Sequence, residues 1–571
     1  MALLSSLLPA LALAASSIPA VLLNAPEAVR PLLTRHFKVP EQLLRSRAER
    51  DLFVRRAQQE IPALLQTEGY FSAQVRVLGV QPSGTIELAV EPGVRTQVAA
   101  AVIEFRGDLN GVGEERAQRR ARLLAGWLLP VGSPFTSAAW EEAKTALLAE
   151  VAARDYAAAR IVESAAHVQP EAARAELRVV VDSGPRYVFG PVSIGGLERY
   201  TPEMVLRYAT FQAGEPYRRG ALLDWQRSLQ SLAQFSSVVA RLDTERAEGE
   251  EVKRAPVRLE VNEALSRKVG VGLGYSSNHG WRSELNYTSY NFLDRAWSLT
   301  GAVALEQNRQ GVTAGVDTLP NPQGFRVQWA GLAERTRVQG LETRRDKLSV
   351  ARSQGRGFIE NSLRLNWQQE QRLPEGGVRE NDQALVLDWQ WGRRTVDNPL
   401  FPMRGELTEF RFGIAGRAFF SDQDFTRSYL RHQSWIPLSE RDVLTLRVEG
   451  GYTAAKSRLG IPQEYLFRVG GTQTVRGFPY QSLGFREGSA IVGGRAMLTA
   501  SVEYTHWFND WGLAAFSDAG DAADTAPTLQ LKSSVGAGLR WRSPLGPLAL
   551  DLARGKGQPQ SLVHFSIAVA F

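Results

Sequence analysis

Val269-Gly270-Val271-Gly272-Leu273-Gly274-Tyr275-Ser276 puts Val269, Val271, Leu273 and Tyr275 on one side of an extended chain and the three glycines with Ser276 on the other. Side chains of a strand alternate with a period of two, so this is a strand with one apolar face. The last eleven residues repeat the pattern. Val563, Phe565, Ile567, Val569 and Phe571 form one side, and His564, Ser566, Ala568 and Ala570 the other. Residues 495–505 do the same, with Leu498, Ala500, Val502 and Tyr504 opposite Arg495, Thr499, Ser501, Glu503 and Thr505. Further strand segments are marked at 284–293, 296–306, 311–318, 325–334, 346–353, 361–370, 383–392, 405–415, 426–437 and 442–453, then at 511–518, 533–542 and 546–553. A soluble sandwich alternates too. An even set of about sixteen strands, each of the length that crosses a bilayer at a tilt, instead predicts an antiparallel transmembrane β-barrel over 265–571. Tyr287, Trp389, Trp391, Trp435, Trp507 and Trp541 sit near strand ends, as an interfacial girdle requires. Mean hydropathy is −0.22 and no internal run of 18 apolar residues exists, which excludes a helical membrane protein but not a barrel.

Backbone groups in hydrocarbon need partners, so the sheet must close and 269–276 must meet 561–571. Gly270, Gly272 and Gly274 weaken the first strand and hold its register poorly. The seam between the terminal strands is therefore the expected weak point. The glycines could instead make room for a chain folded into the barrel.

Residues 24–264 follow other periods. Helical spacing appears at 46–68, 114–128, 136–153 and 217–233; in the last of these Leu222, Trp225, Leu229 and Leu232 share one face. Short strand segments lie between at 71–79, 84–91, 99–106, 174–182, 186–195 and 255–262. The order strand–helix–helix–strand–strand recurs three times, about 80 residues apart, a plausible small-domain size. Gly69-Tyr70 in the first copy corresponds to Asp155-Tyr156 in the second and Gln234-Phe235 in the third. Ahead of them, apolar residues 2–15 end in Ala12-Leu13-Ala14, which reads as a secretory signal over 1–15 without an N-terminal basic residue.

The 571 residues contain no cysteine, so thiolate chemistry, disulfides and Cys-ligated metals are excluded. The six histidines are far apart and form no metal-spacing pair. A net charge of +7 spread along the chain does not indicate a nucleic-acid protein. Gly270-x-Gly272-x-Gly274 has no following helix and is no phosphate loop. Neither a Gly-x-Ser-x-Gly elbow nor a His-Glu-x-x-His helix occurs, so no enzyme, metal or cofactor is expected.

The connection from about 454 to 492 is long, and loops of that length in a compact fold are usually functional. It holds Phe467-Arg468-Val469-Gly470-Gly471-Thr472-Gln473-Thr474-Val475-Arg476-Gly477-Phe478. Val475-Arg476-Gly477-Phe478 resembles the sixth-loop signature of the BamA/TamA superfamily of outer-membrane barrels that assemble or export proteins. Phe516-Ser517-Asp518-Ala519-Gly520 resembles its second signature, on the thirteenth strand. The resemblance implies that the loop folds into the barrel and that Arg476 meets Asp518 and Glu503 there. It also implies that the amino-terminal repeats are periplasmic POTRA (polypeptide-transport-associated) domains, at 20–97, 98–184 and 185–264. Three repeats, with Gly184-Pro185-Arg186-Tyr187-Val188-Phe189-Gly190 and Gly538-Leu539-Arg540-Trp541-Arg542-Ser543-Pro544-Leu545-Gly546-Pro547, resemble the TamA family, outer-membrane subunits of the translocation and assembly module. That family implies an outer-membrane location and a large inner-membrane-anchored partner, TamB. Its clients are unfolded outer-membrane proteins or autotransporters, and it works without nucleic acid. Expected devices are POTRA edges that accept a strand and a lateral seam marked by Gly270, Gly272, Gly274 and Phe571. A dedicated two-partner secretion pore, or a plugged passive channel, is the alternative.

Overall fold

The computed structural model describes residues 21–40, 46–82, 85–544 and 546–567. The expected signal segment 1–15 and the terminal Phe571 lie outside the described residues.

Three small mixed sheets come first. One is built from β1 (Val21–Asn24), α1 (Arg30–His36), α2 (Arg47–Thr67), β2 (Gln74–Val80) and β3 (Ile86–Glu91), with sheet order β1-β3-β2. A capping box starts α2: Glu49 N donates to Ser46 Oγ (3.1 Å) and Ser46 N to Glu49 Oε2 (3.0 Å). Phe53, Ala57, Ile61 and Leu65 recur every four residues along it, and bury one face of the helix together with Ile86, Leu88 and Val90 of β3. The second repeat has β4 (Gln97–Arg106), α3 (Glu114–Ala125), α4 (Ser137–Ala152), β5 (Arg160–Gln169) and β6 (Arg174–Asp182), ordered β4-β6-β5. The third has β7 (Arg186–Gly195), α5 (Pro202–Leu206), α6 (Arg219–Gln230), β8 (Phe235–Leu242) and β9 (Val252–Glu263), ordered β7-β9-β8. In all three the first strand runs parallel to the last, which takes the centre. The short helices α1 and α5 and the edge strand β5 escape the periodicity reading. The helices span two turns or fewer, and β5 buries neither of its faces fully.

Asp155 stands where the first repeat has Gly69. Both adopt a left-handed backbone, at φ 61° and 92°. Aspartate is among the few residues that tolerate this conformation, so the turn survives the exchange. Here the second and third repeats are tied by backbone bonds: Tyr187 N donates to Asp155 O (2.7 Å) and Asp155 N to Tyr217 O (2.9 Å). Beside them the Asp108 carboxylate accepts from Arg116 Nη2 (2.7 Å), Tyr156 OH (2.9 Å) and Arg186 Nε (3.1 Å). The Arg116 hydrogen bond holds its pKa below the ordinary value, helped by Tyr156 and Arg186 and opposed by burial. A lowered pKa means that this stabilisation is complete above the ordinary aspartate range near 4 and drains away as pH falls through the lowered value. Asp108→Asn should cost about 2 kcal/mol at neutral pH and flatten the acid limb of the unfolding curve. Denaturant melts of the two proteins between pH 3 and 7 check this; identical acid limbs contradict it.

All sixteen expected barrel strands form one sheet in sequence order, antiparallel throughout, from Arg267–Ser276 to Leu562–Ile567. Strand 9 occupies Gly405–Ala415, the range that its alternation marks. Strands 6 and 7 reach 16 residues, Leu341–Arg356 and Ile359–Pro374, longer than their apolar cores because polar ends continue the ladder. Val271, Leu273, Trp329, Leu348, Trp389 and Val535 stand on the exposed outer face. Trp507 does not join the girdle. It shares its register with Glu503 and Thr505 on the inner wall and lies under the Arg542 guanidinium, 3.9 Å from the ring centre. No described helix is long and apolar enough to cross a membrane. Segments 196–208 and 228–238 of the third repeat belong to the same compact unit as the barrel. Gln234 Nε2 donates to Ala296 O (2.8 Å) and Tyr208 OH to Pro320 O, so these segments bond to the turns after strands 2 and 4, at one end of the barrel.

Candidate functional site

The connection between strand 11 (Asp442–Ala455) and strand 12 (Ala496–Phe508) leaves from the opposite end and turns back into the lumen. A short hairpin, Phe485–Glu487 with Ala490–Val492, lies near its end. Phe467, Val469, Val475, Phe478, Met497 and Ala522 form an apolar cluster under it. Arg447 Nη2 donates to Thr474 O (3.1 Å), and Gly471 N donates to Phe478 O (3.0 Å), which curls the tip back on itself.

That curl delivers Arg476 to the wall formed by strand 12 and by strands 13 (Trp511–Ala523), 14 (Lys532–Ser543) and 15 (Gly546–Gly555). Its Nε and Nη2 each donate to one oxygen of Asp518 at 2.8 Å, a bidentate fork, and its backbone N donates to Asp518 Oδ2 at 3.0 Å. Nη1 donates to Glu503 Oε2 (2.6 Å) and Asp551 Oδ2 (3.3 Å). The guanidinium lies over the Phe516 ring, 3.3 Å from its centre. Arg540 completes the cluster, donating to Glu503 Oε2 (2.8 Å) and Asp551 Oδ1 (2.5 Å). Two guanidiniums thus face three carboxylates. Arg476 is 5% exposed and Asp518 1%, so each charge depends on its partners.

Glycines shape the seat. Gly477 has φ +83°, and a Cβ there would lie 2.6 Å from Gly555 N. A Cβ at Gly520 would meet Val475 Cγ2 at 2.8 Å, one at Gly536 the Phe516 ring at 2.4 Å, and one at Gly555 the Phe478 ring at 2.7 Å. The second signature thereby has a physical reading: Phe516 is the platform, Asp518 the acceptor and Gly520 the recess for Val475.

The structure therefore brings Val475, Arg476, Gly477 and Phe478 together with Glu503, Phe516, Asp518 and Gly520. Gly270, Gly272 and Gly274 lie elsewhere. A Cβ at Gly270 or Gly272 would meet only Asn286 or Glu284 Cβ, at 3.8 and 3.9 Å, and one at Gly274 nothing within 4 Å. They do not make room for the loop. Among the described residues strand 1 and strand 16 form no ladder; Ser277 and Phe565 alone exchange hydrogen bonds, at 3.2–3.4 Å. Sequence reasoning missed Asp551, Arg540, Ser501 and His564. Ser501 Oγ donates to Asp518 Oδ1 (2.6 Å), and Gly477 N donates to His564 Nε2 (2.8 Å). The available signal was parity: Asp551 alternates with Leu550 and Leu552, and His564 with Val563 and Phe565.

A sixteen-stranded antiparallel barrel behind three mixed small domains, with an inward loop anchored by arginine, defines an outer-membrane β-barrel protein with POTRA-like domains. Residues 265–571 match the Omp85 superfamily domain, and the chain belongs to that superfamily. It is similar to the outer membrane protein assembly factor BamA of Nitratidesulfovibrio vulgaris, 29% identical over 203 residues, which is 33% of this chain and 26% of that protein. The chain thus matches about a quarter of that relative's length. Its fold resembles the crystal structure of BamA from Haemophilus ducreyi lacking POTRA domains 1–3, with a TM-score of 0.69 and 16% identity over 83% of this chain and all of that one.

Proposed function

We propose that this protein is an assembly and translocation factor of the TamA type, helping outer-membrane proteins or autotransporters to insert or cross at the outer membrane. The observation that carries the reading is a barrel whose terminal strands share one hydrogen-bonded residue pair among the described residues, while a buried ion cluster holds its lumen loop. In this reading 1–15 is the cleaved signal, 20–97, 98–184 and 185–264 are the POTRA units and 265–571 is the barrel. Edges of the POTRA sheets accept a client or TamB-like strand by β-augmentation. Backbone groups along strand 1 that have no partner among the described residues of strand 16 template incoming strands. Client folding supplies the energy, with no cofactor and no catalysis.

The test is reconstitution. Vesicles carrying the full chain should convert a urea-unfolded autotransporter barrel to its heat-modifiable folded form faster than empty vesicles. Equal rates, with ion conductance through the protein, would favour a passive channel instead.

The terminal aromatic has its own expected outcome. The stripe Val563, Phe565, Ile567, Val569, Phe571 resembles the signal by which barrels are recognised for insertion. Deleting Phe571 should lower the membrane-inserted level far more than Phe565→Leu, as measured by heat-modifiable protein in outer-membrane fractions. Equal levels refute a signal role.

A further inference from the structure

We infer that the inward loop is a strap across the outer end of the seam, and that Asn278 is the positioning residue that fastens it to the first hairpin. The loop reaches both sides. On the strand 1 side, Asn278 Nδ2 donates to Thr472 Oγ1 (2.8 Å) and Thr472 N donates to Asn278 Oδ1 (3.4 Å). The fit is close, since a Cβ at Gly471 would sit 2.8 Å from Asn278 Oδ1. Next to it the His279 ring meets Tyr480 of the loop edge-on, with centres 4.8 Å apart. On the strand 16 side, Gly477 N donates to His564 Nε2, so that nitrogen carries no proton and acts as the acceptor.

Among the described residues, direct contact between the two edges is weaker. Ser277 N and Oγ donate to Phe565 O at 3.4 and 3.3 Å, and Phe565 N donates to Ser277 Oγ at 3.2 Å. All three bonds fall on one residue pair and are long for their type. The tip from Thr472 to Gly477 instead spans from the turn after strand 1 to the interior of strand 16, and Arg476 between them is held by the buried carboxylates. The outer end of the seam cannot part without breaking either the Asn278–Thr472 pair or the Gly477–His564 bond. Arg476 anchors the strap to strands 12, 13 and 15, so the Asn278 side has the fewer attachments and gives way first.

The inference rests on the seam being the working edge proposed above, but its test needs no client. Leu273 (85% exposed) and Val563 (61%) face outward on either side of the seam, and the chain has no native cysteine. Leu273→Cys and Val563→Cys in the full chain, spin-labelled in lipid vesicles, report the separation as a distance distribution. Asn278→Ala should raise the long-distance population about fivefold, the effect of losing one ordinary hydrogen bond. Thr472→Val, which removes the same bond from the loop side, should match it, and Ser277→Ala should do less than either. The inference is overturned if Asn278→Ala and Thr472→Val leave the distribution unchanged, or if Ser277→Ala opens the seam more than they do. Should Asn278→Ala fail to fold, Thr472→Val carries the test alone. A barrel inactive toward clients that still shows these shifts would sink the assembly reading and leave the strap standing.

Discussion

Arg476→Ala is expected to free the loop while the sixteen strands still assemble, at a cost of about 3–5 kcal/mol in the stability of the docked state. Glu503 and Asp551 would keep Arg540, whereas Asp518 would lose its bidentate partner and retain the Ser501 hydroxyl while remaining buried. The expected signs are a lower unfolding temperature by electrophoretic mobility shift and protease cleavage between residues 467 and 484. Arg476→Ala with Asp518→Ala should be less destabilised than the sum of the two single changes, because removing both partners leaves no orphaned charge. An unchanged melt in Arg476→Ala would show that the anchor contributes nothing.

Gly477→Val has the second largest expected effect. It combines a left-handed backbone, worth about 1–2 kcal/mol against a side chain, with a Cβ 2.6 Å from the backbone of Gly555. The neighbour is main chain in a barrel strand and cannot yield, so a total near 3 kcal/mol is expected. Gly274→Ala is the matched control. Nothing lies within 4 Å of its Cβ, and its melt should stay close to that of the parent protein. If the two variants melt alike, the seat described for Gly477 is wrong.

The sequence was most readable where lipid imposes a rule. An outer face in hydrocarbon must be apolar at every second residue, so strands such as Gly405–Ala415, with Phe410, Phe412 and Ile414 on one side, stand out as alternation. The motif arginine and its two acidic partners could be singled out only through resemblance, since a lone Arg-Gly-Phe is an ordinary surface turn. Asp551 and Arg540 were hidden because an inward charge looks the same whether it faces water or a buried guanidinium. The Asn278–Thr472 pair joins residues 194 apart, and no local pattern encodes such a contact. The inward placement of Trp507 depends on register, which aromatic content near a strand end does not reveal. The glycines of strand 1 were open to two readings. The space around them decides against a role in seating the loop.

In the proposed mechanism the seam between strands 1 and 16 opens during work. The direct measurement uses Ser277→Cys with Phe565→Cys, positions whose backbones already lie within hydrogen-bonding reach, in a chain free of other thiols. Folding of a urea-unfolded autotransporter barrel is followed on vesicles holding the oxidised protein, and again after reduction. The oxidised form should fall to the rate of empty vesicles, and reduction should restore activity. Equal rates in the oxidised and reduced forms would contradict this mechanism.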